Sequence, residues 1–556
     1  MPAVEAAAQN TRKSWWIPSV LGICVTVVLV ATTFVFRIKA DDIWWHLKTG
    51  QLILELLHLP QENLFSFTAP HHPWLPHEWL SEVVFYIIYK YLGYRGLVAF
   101  GIALNALACA LVYKLTARYS RSPYLSALIT LLAALMMLGN FSLRPYLFGN
   151  LFFICTLHAM EEPSAGGRLR PAIIFALFAT WANFHGSFLI GLALIILHMM
   201  AVATERWFAL RRHRLALAGQ GQPPPFLATA WAAARPYARD FLVALLACMV
   251  TPNHVFGLVF PLTYIRNAFS PEMNFLTSIS EWQPAGFSTP LGRMITFYLM
   301  FCGFALVGSG KSPRPVHMGL LAAFAVFAYS SIRNIPLLGI AATPVLARHL
   351  PATLKRAWTT MVRGQATRQL LERIHLASVE LDRRSRAVLL PAITSLLLLV
   401  IFLLPARARL SYPALTGIDR LADLSPFFYP RGLIEHLDAL KRRRRLFHYF
   451  NWGGALIWRL YPRQLVFIDQ RNDCYPPAVF RDYFAVHRLE RDWRAVLDRW
   501  RIDLVAYPPD SRLADRLLED REWRLVYGDS QALLFERRQA YVPEPAGDAD
   551  LVQPPR

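Results

Sequence analysis

Asp41-Asp42-Ile43-Trp44-Trp45-His46-Leu47-Lys48-Thr49-Gly50, continuing as QLILELL to residue 57, follows an apolar run at 17–36. That run is long enough to stay in a bilayer as a span, and no cleavable signal pattern accompanies it. At helical spacing the next stretch is amphipathic, with Leu47, Ile53, Leu54 and Leu57 turned against lipid or protein. A span thus opens into an acidic pair and an aromatic, basic helix.

The rest of the chain agrees with a membrane setting. Of 556 residues, 55% are hydrophobic and 17% charged, and mean hydropathy is +0.32, too apolar for a soluble globular chain. That composition excludes a disordered chain, a coiled coil and a disulfide-stapled module. Further apolar runs at 83–112, 124–141, 144–160, 171–184, 187–204, 240–258, 291–308, 316–331, 335–349 and 387–405 bring the expected crossings to about eleven. The expected fold class is a polytopic α-helical membrane protein with a small C-terminal α/β domain. Net charge is +21, yet 24 of the 33 basic residues before residue 406 fall on one side once Arg12 and Lys13 are placed in the cytoplasm. This positive-inside bias explains most of the charge without nucleic acid as a partner. Five of the six cysteines lie in apolar runs and Cys474 stands alone, so no disulfide framework is expected. The excess of Arg over Lys suggests a bacterial chain, and hence the bacterial cytoplasmic (inner) membrane.

The same parity puts two pieces outside. Residues 1–405 form the transmembrane domain, including a first outer loop at 37–82. Residues 406–540 form an extracytoplasmic α/β domain, and 541–556 a disordered tail. Strands are expected at 465–469, 503–509, 524–528 and 532–536, with helices near 478–487, 491–501 and 511–519. Gln220 to Pro225 is read as a cytoplasmic linker.

Polar groups at bilayer depth are costly and tend to be functional. Here they gather at the outer ends of the expected spans: Asp41 and Asp42, His77 and Glu78, Asn140 to Arg144, Asn183 and His185, Asn253 and His254, Glu281 to Pro284, and Ser331 to Asn334. Such one-sidedness suggests a cavity open to the outer face, whereas a transporter would place polar groups near the midplane. The acidic pair can supply a general base or an N-cap for the helix that follows. Trp44 and Trp45 suit an interfacial belt. His71, His72, His77 and Glu78 could gather at a metal, though their spacing matches no specific ligand pattern. Arg144 and Arg333 suit either a phosphate or snorkelling to headgroups, and Lys441 to Arg445 suits anionic membrane lipids.

This order of elements resembles the GT-C glycosyltransferases, membrane enzymes that use polyprenyl-phosphate-linked sugars. The segment from Asp41 to about Tyr89 resembles the first outer loop of bacterial GT-C-like proteins. It is also similar in layout to that of the oligosaccharyltransferase catalytic subunit, where an Asp precedes an aromatic and basic helix. On that alignment Asp42 takes the Asp position. Tyr449-Phe450-Asn451-Trp452-Gly453-Gly454, with Asp469 beyond it, resembles the acceptor-binding segment of that subunit but lacks its acidic residue.

The resemblance implies an inverting, single-displacement transfer on the outer face to a glycan, lipid or protein acceptor. Asp42 would act as base, and Arg144, Arg333 or Lys48 would neutralise the donor phosphate. Trp45, His46 and His185 complete the expected substrate-binding set, and His77 and Glu78 would orient the acceptor or bind a divalent metal ion. The expected ionic partner of Asp42 is Lys48. The rival readings are a transporter or flippase of lipid-linked sugars and a non-enzymatic scaffold, neither of which needs a base.

Overall fold

A computed structural model describes residues 42–120, 122–137, 142–161, 167, 169–216, 226–268, 280–361, 369, 373, 430–440 and 443–539. The expected spans at 17–36 and 387–405, Asp41, Asn140, the 220–225 linker, Lys441, Arg442 and the tail from 541 lie outside the described residues.

The chain is mostly helical. Helix α1 is Ile43–Leu56 and α2 is Trp79–Ser120. Then come α3 (Pro123–Met137), α4 (Tyr146–Glu161), α5 (Arg170–Phe184), α6 (Phe188–Ala216) and α7 (Phe226–Ala247). They are followed by α8 (His254–Ala268), α9 (Pro290–Ser309), α10 (Pro315–Ser330), α11 (Ile335–Ala341) and α12 (Thr343–Met361). Among the described residues, three stretches are long and apolar enough to cross a membrane: 99–120, 188–210 and 290–309. The pair 332–341 and 343–358, bent by 51°, could make a fourth. Shorter apolar helices occupy 125–137, 254–263 and 315–330. The structure therefore gives a few candidate spans, and the count of about eleven is not confirmed.

Two differences have local causes. The expected span at 240–258 is broken: α7 ends at Ala247 and α8 starts at His254, across the Thr251-Pro252-Asn253 turn. Helix α2 begins before the expected 83, and Gly93 interrupts it at φ 62°. That conformation costs a glycine little, and it separates the piece carrying Trp79 and Glu82 from the apolar stretch at 99–120.

The C-terminal part holds α13 (Arg431–Ala439), β1 (Leu446–His448), α14 (Gly453–Leu460), α15 (Pro477–His487), α16 (Trp493–Arg499), β2 (Leu504–Tyr507), α17 (Arg512–Glu519), β3 (Trp523–Gly528) and β4 (Leu533–Arg537). Its sheet runs β1-β2-β4-β3. The β1–β2 pair is parallel, with Leu446 opposite Leu504, and the other pairs are antiparallel. Strand β1 was not expected. The expected strand at 465–469 lies outside the sheet, because its backbone pairs with the first loop instead. Phe67 N–H donates to the Val466 carbonyl at 3.2 Å, and Val466 N–H to the Phe65 carbonyl at 2.9 Å.

A buried cation fixes that junction. Arg471 Nη2 lies 2.7 Å from Asp469 Oδ2, and both residues are buried. Arg471 also donates to Asn63 Oδ1 at 2.8 Å, and its guanidinium lies 4.5 Å from the Phe65 ring centroid and 4.6 Å from that of Trp74. Carboxylate, amide and two π-faces surround the guanidinium and offset the cost of burying its charge, while buried Nη1 makes no hydrogen bond among the described residues. The loop is thereby held to the C-terminal part.

Candidate active site

Asp42 occupies the N-cap position of α1, but its side chain makes no capping hydrogen bond. It pairs with Arg144, whose Nε lies 2.8 Å from Asp42 Oδ2. The other edge of the same guanidinium donates from Nη1 to Glu281 Oε2, also at 2.8 Å. Arg144 is placed by a tight turn into α4, in which its N–H donates to the Ser142 carbonyl and its carbonyl accepts from Leu147 N–H. Glu281 sits on a strap whose backbone is tied to the turn after α10. Ser331 Oγ donates to the Glu281 carbonyl, and Ile332 N–H to that of Gln283. The Arg333 guanidinium stacks on Trp282 at 5.1 Å. Burial alone would raise the Glu281 carboxyl, but Arg144 and Arg333 outweigh it and hold the group below the usual carboxylate range.

A second acidic group stands beside this one. Glu78 Oε1 lies 3.2 Å from His185 Nε2 and 3.8 Å from His77 Nε2. Burial raises Glu78, against the pull of His77 and Arg333, with Asp473 adding to the rise. Asp473 is itself raised by burial, and its Oδ2 has no hydrogen-bond partner among the described residues. His185, in the break between α5 and α6, is held well below the usual imidazole value by burial and then by Arg333. Nδ1 of neutral His185 accepts from Ser187 N–H at 3.1 Å, with Ser187 Oγ 2.7 Å away, which leaves Nε2–H to face Glu78. His77 packs on the Phe260 ring at 4.8 Å.

The other sequence candidates have partners of their own. Lys48 does not meet Asp42: its Nζ donates to Gln51 at 3.2 Å and lies over the rings of Trp458 and Tyr461. Its position on α1 turns it toward the C-terminal part, and Arg144 takes the ionic role expected of it. His46 is buried, with Nδ1 3.2 Å from Glu82 Oε1, and Trp45 packs on it with ring centroids 3.6 Å apart. Both shape the α1–α2 contact. The His71, His72, His77 and Glu78 set is not gathered. His71 pairs with Glu62 at 2.6 Å on the surface, and His72 contacts the Pro73 carbonyl. Among the described residues no group of three His, Cys, Asp or Glu is arranged to hold a metal ion.

In the segment resembling an acceptor site, Tyr449, Phe450 and Asn451 are half-buried and the second half is core. Trp452 is buried, and a Cβ at Gly453 would lie 2.6 Å from the Ile468 carbonyl oxygen. At the opposite ends of the helices the loops carry most of the basic residues before residue 406, and an excess of positive charge is all that the sequence shows there. The structure instead buries Glu161 there, with Arg314 Nη1 3.2 Å, His317 Nε2 3.4 Å and His198 Nε2 3.5 Å away. Arg170 and Asp240, 2.6 Å apart, tie α5 to α7 nearby. Glu161 and Glu162 follow one apolar run, and His198 and His317 stand singly in two others, which gave no signal for this pairing.

No family model matches the chain, and no curated protein matches it. Among solved structures it is similar to the oligosaccharyltransferase of Archaeoglobus fulgidus, solved with a tethered acceptor peptide containing the NVT sequon. The likeness covers 89% of this chain and 69% of that one, at 13% identity and a TM-score of 0.48.

Proposed function

We propose that the chain is a membrane glycosyltransferase that moves a sugar from a polyprenyl-phosphate donor to an acceptor hydroxyl. The observation that carries this reading is the convergence of Asp42, Arg144, Glu281 and Arg333 from the first loop and three later turns. One end of the helices thereby offers carboxylates for an acceptor beside cations for a phosphate. The sequence resemblance of the first loop supports the same chemistry.

In this reading the acceptor oxygen attacks the anomeric carbon as the bond from that carbon to the phosphate oxygen breaks. The bonding pair leaves with the phosphate, Asp42 takes the hydroxyl proton, and the configuration inverts. Arg333 and Arg144 meet the charge that develops on the leaving phosphate. Glu78, oriented by His185 and His77, positions the acceptor. The acceptor is a glycan, lipid or protein, and membrane lipids surround the helices. The setting is the bacterial cytoplasmic membrane, with the C-terminal part outside. A flippase of the same donor would need the cations but no carboxylate for proton transfer.

The test is transfer of labelled sugar from a polyprenyl-phosphate pool by the full chain in liposomes. Loss of the Asp42 base by Asp42→Asn should lower turnover by about 10²–10⁴-fold at equal protein level. Turnover near wild type in that variant would contradict the assignment.

A further inference from the structure

We infer that the Arg144 guanidinium stands in the place of a divalent cation, so that this site works with a fixed internal cation and binds no divalent metal ion. The inference rests on the transfer reading for its chemistry, but its geometry is independent of that reading.

Two carboxylates from distant parts of the chain, Asp42 and Glu281, face one point. Left alone they would repel, and such a pair commonly shares a hard divalent ion, which takes oxygen ligands at about 2.1 Å. Here the point is filled from within the chain. Arg144 reaches Asp42 Oδ2 through Nε and Glu281 Oε2 through Nη1, each at 2.8 Å, so one planar fork neutralises both groups.

An ion could enter only by evicting the guanidinium. Arg144 has little room to leave: only 18% of its side chain is exposed, and Leu143 beside it is fully buried. Its backbone is pinned between the Ser142 carbonyl and the first turn of α4. Eviction would also push its charge toward Arg333, whose own charge already acts on Glu281 and Glu78. Among the described residues, Trp282 and Arg333 are the neighbours on the strap side, and neither is a metal ligand. The residues present therefore do not fit a divalent ion, and Arg144 positions Asp42 in its stead.

The test uses full-length protein in detergent with Mn²⁺ as probe, read by electron paramagnetic resonance, and transfer assays with and without EDTA. The wild type should bind no Mn²⁺ at the site, and its transfer rate should stay within about twofold after chelation, since no metal supplies Lewis-acid help. Arg144→Met should bind Mn²⁺ and lose transfer by roughly 10²-fold, the scale expected for one positioned electrostatic group. Stoichiometric Mn²⁺ on the wild type that Asp42→Asn or Glu281→Gln abolishes would overturn the inference. So would activity that EDTA removes and Mn²⁺ restores, or an Arg144→Met protein that is folded yet binds no Mn²⁺. If Arg144→Met does not fold, Mn²⁺ binding by the wild type alone decides. If no transfer is seen in any sample, the binding measurements still decide this point, while the functional reading falls separately.

Discussion

His448 sits in β1 with both ring nitrogens engaged: Nδ1 lies 2.9 Å from the Tyr449 carbonyl, and Nε2 accepts from Phe467 N–H at 3.2 Å. Only the neutral ring can do both, and burial lowers its pKa from 6.5 to about 4. Above pH 6.5 neither folded nor unfolded chain protonates it, so it adds no pH dependence. Between 6.5 and about 4 the unfolded chain takes up a proton that the fold refuses, and stability falls as pH falls. The whole loss is about 3 kcal/mol, complete below pH 4. Tryptophan-fluorescence melting of the full chain should show that slope, and His448→Gln should flatten it; an equal slope in the variant would rule His448 out. At this scale the sequence identified Asp42, Arg144, Arg333 and Glu78 as residue types out of place near a membrane. Their pairings were not legible, because Arg144 and Glu281 are 137 positions apart and a lone Arg beside Pro145 gives no partner. The guess that Lys48 serves Asp42 used nearness along α1, and nearness in sequence is a poor guide where separate turns converge.

The element that organises the site is α1, and its seat is Gly50. A Cβ there would lie 2.1 Å from the Glu82 carbonyl oxygen and 3.0 Å from Tyr86 Cβ, so α1 lies against the α2 backbone. Gly50→Ala should push the helices apart at a cost of about 1–3 kcal/mol and displace Asp42 from Arg144. Thermal unfolding and transfer assays check this, and a variant that melts and turns over like wild type would refute the close seat. The junction of loop and C-terminal part depends in the same way on Arg471. Arg471→Met strands the buried Asp469 carboxylate and should cost about 3–5 kcal/mol. Limited proteolysis should then cut the loop between 57 and 78, and unchanged protection would contradict this role. The sequence did show β2, β3 and β4 as short apolar runs between turn residues. It misplaced 465–469 because an apolar run reports burial and not the partner of its backbone, which here is Phe65-Ser66-Phe67. The break after Ala247 was hidden for a related reason, since the polar Thr251-Pro252-Asn253 turn is short and lies between two apolar stretches.

Across the whole molecule, two polar layers lie at opposite ends of one helical assembly. One gathers Asp42, Arg144, Glu281, Glu78 and His185; the other centres on Glu161. In the proposed reading the first layer faces outward, where a lipid-linked donor and the C-terminal part would meet. Composition made the membrane class legible from the start, while the number of spans depends on short helices that hydropathy alone does not divide. The central claim is that bond-breaking transfer, and not passage of a lipid-linked sugar, happens at the Asp42 layer on the outer side. Sealed right-side-out and inside-out vesicles containing the full chain, given labelled polyprenyl-phosphate sugar from outside, measure this directly. The account predicts labelled acceptor and released polyprenyl phosphate in right-side-out vesicles, abolished by Asp42→Asn at equal protein level. Label that crosses the membrane still attached to its lipid, equally in wild type and Asp42→Asn, would contradict it.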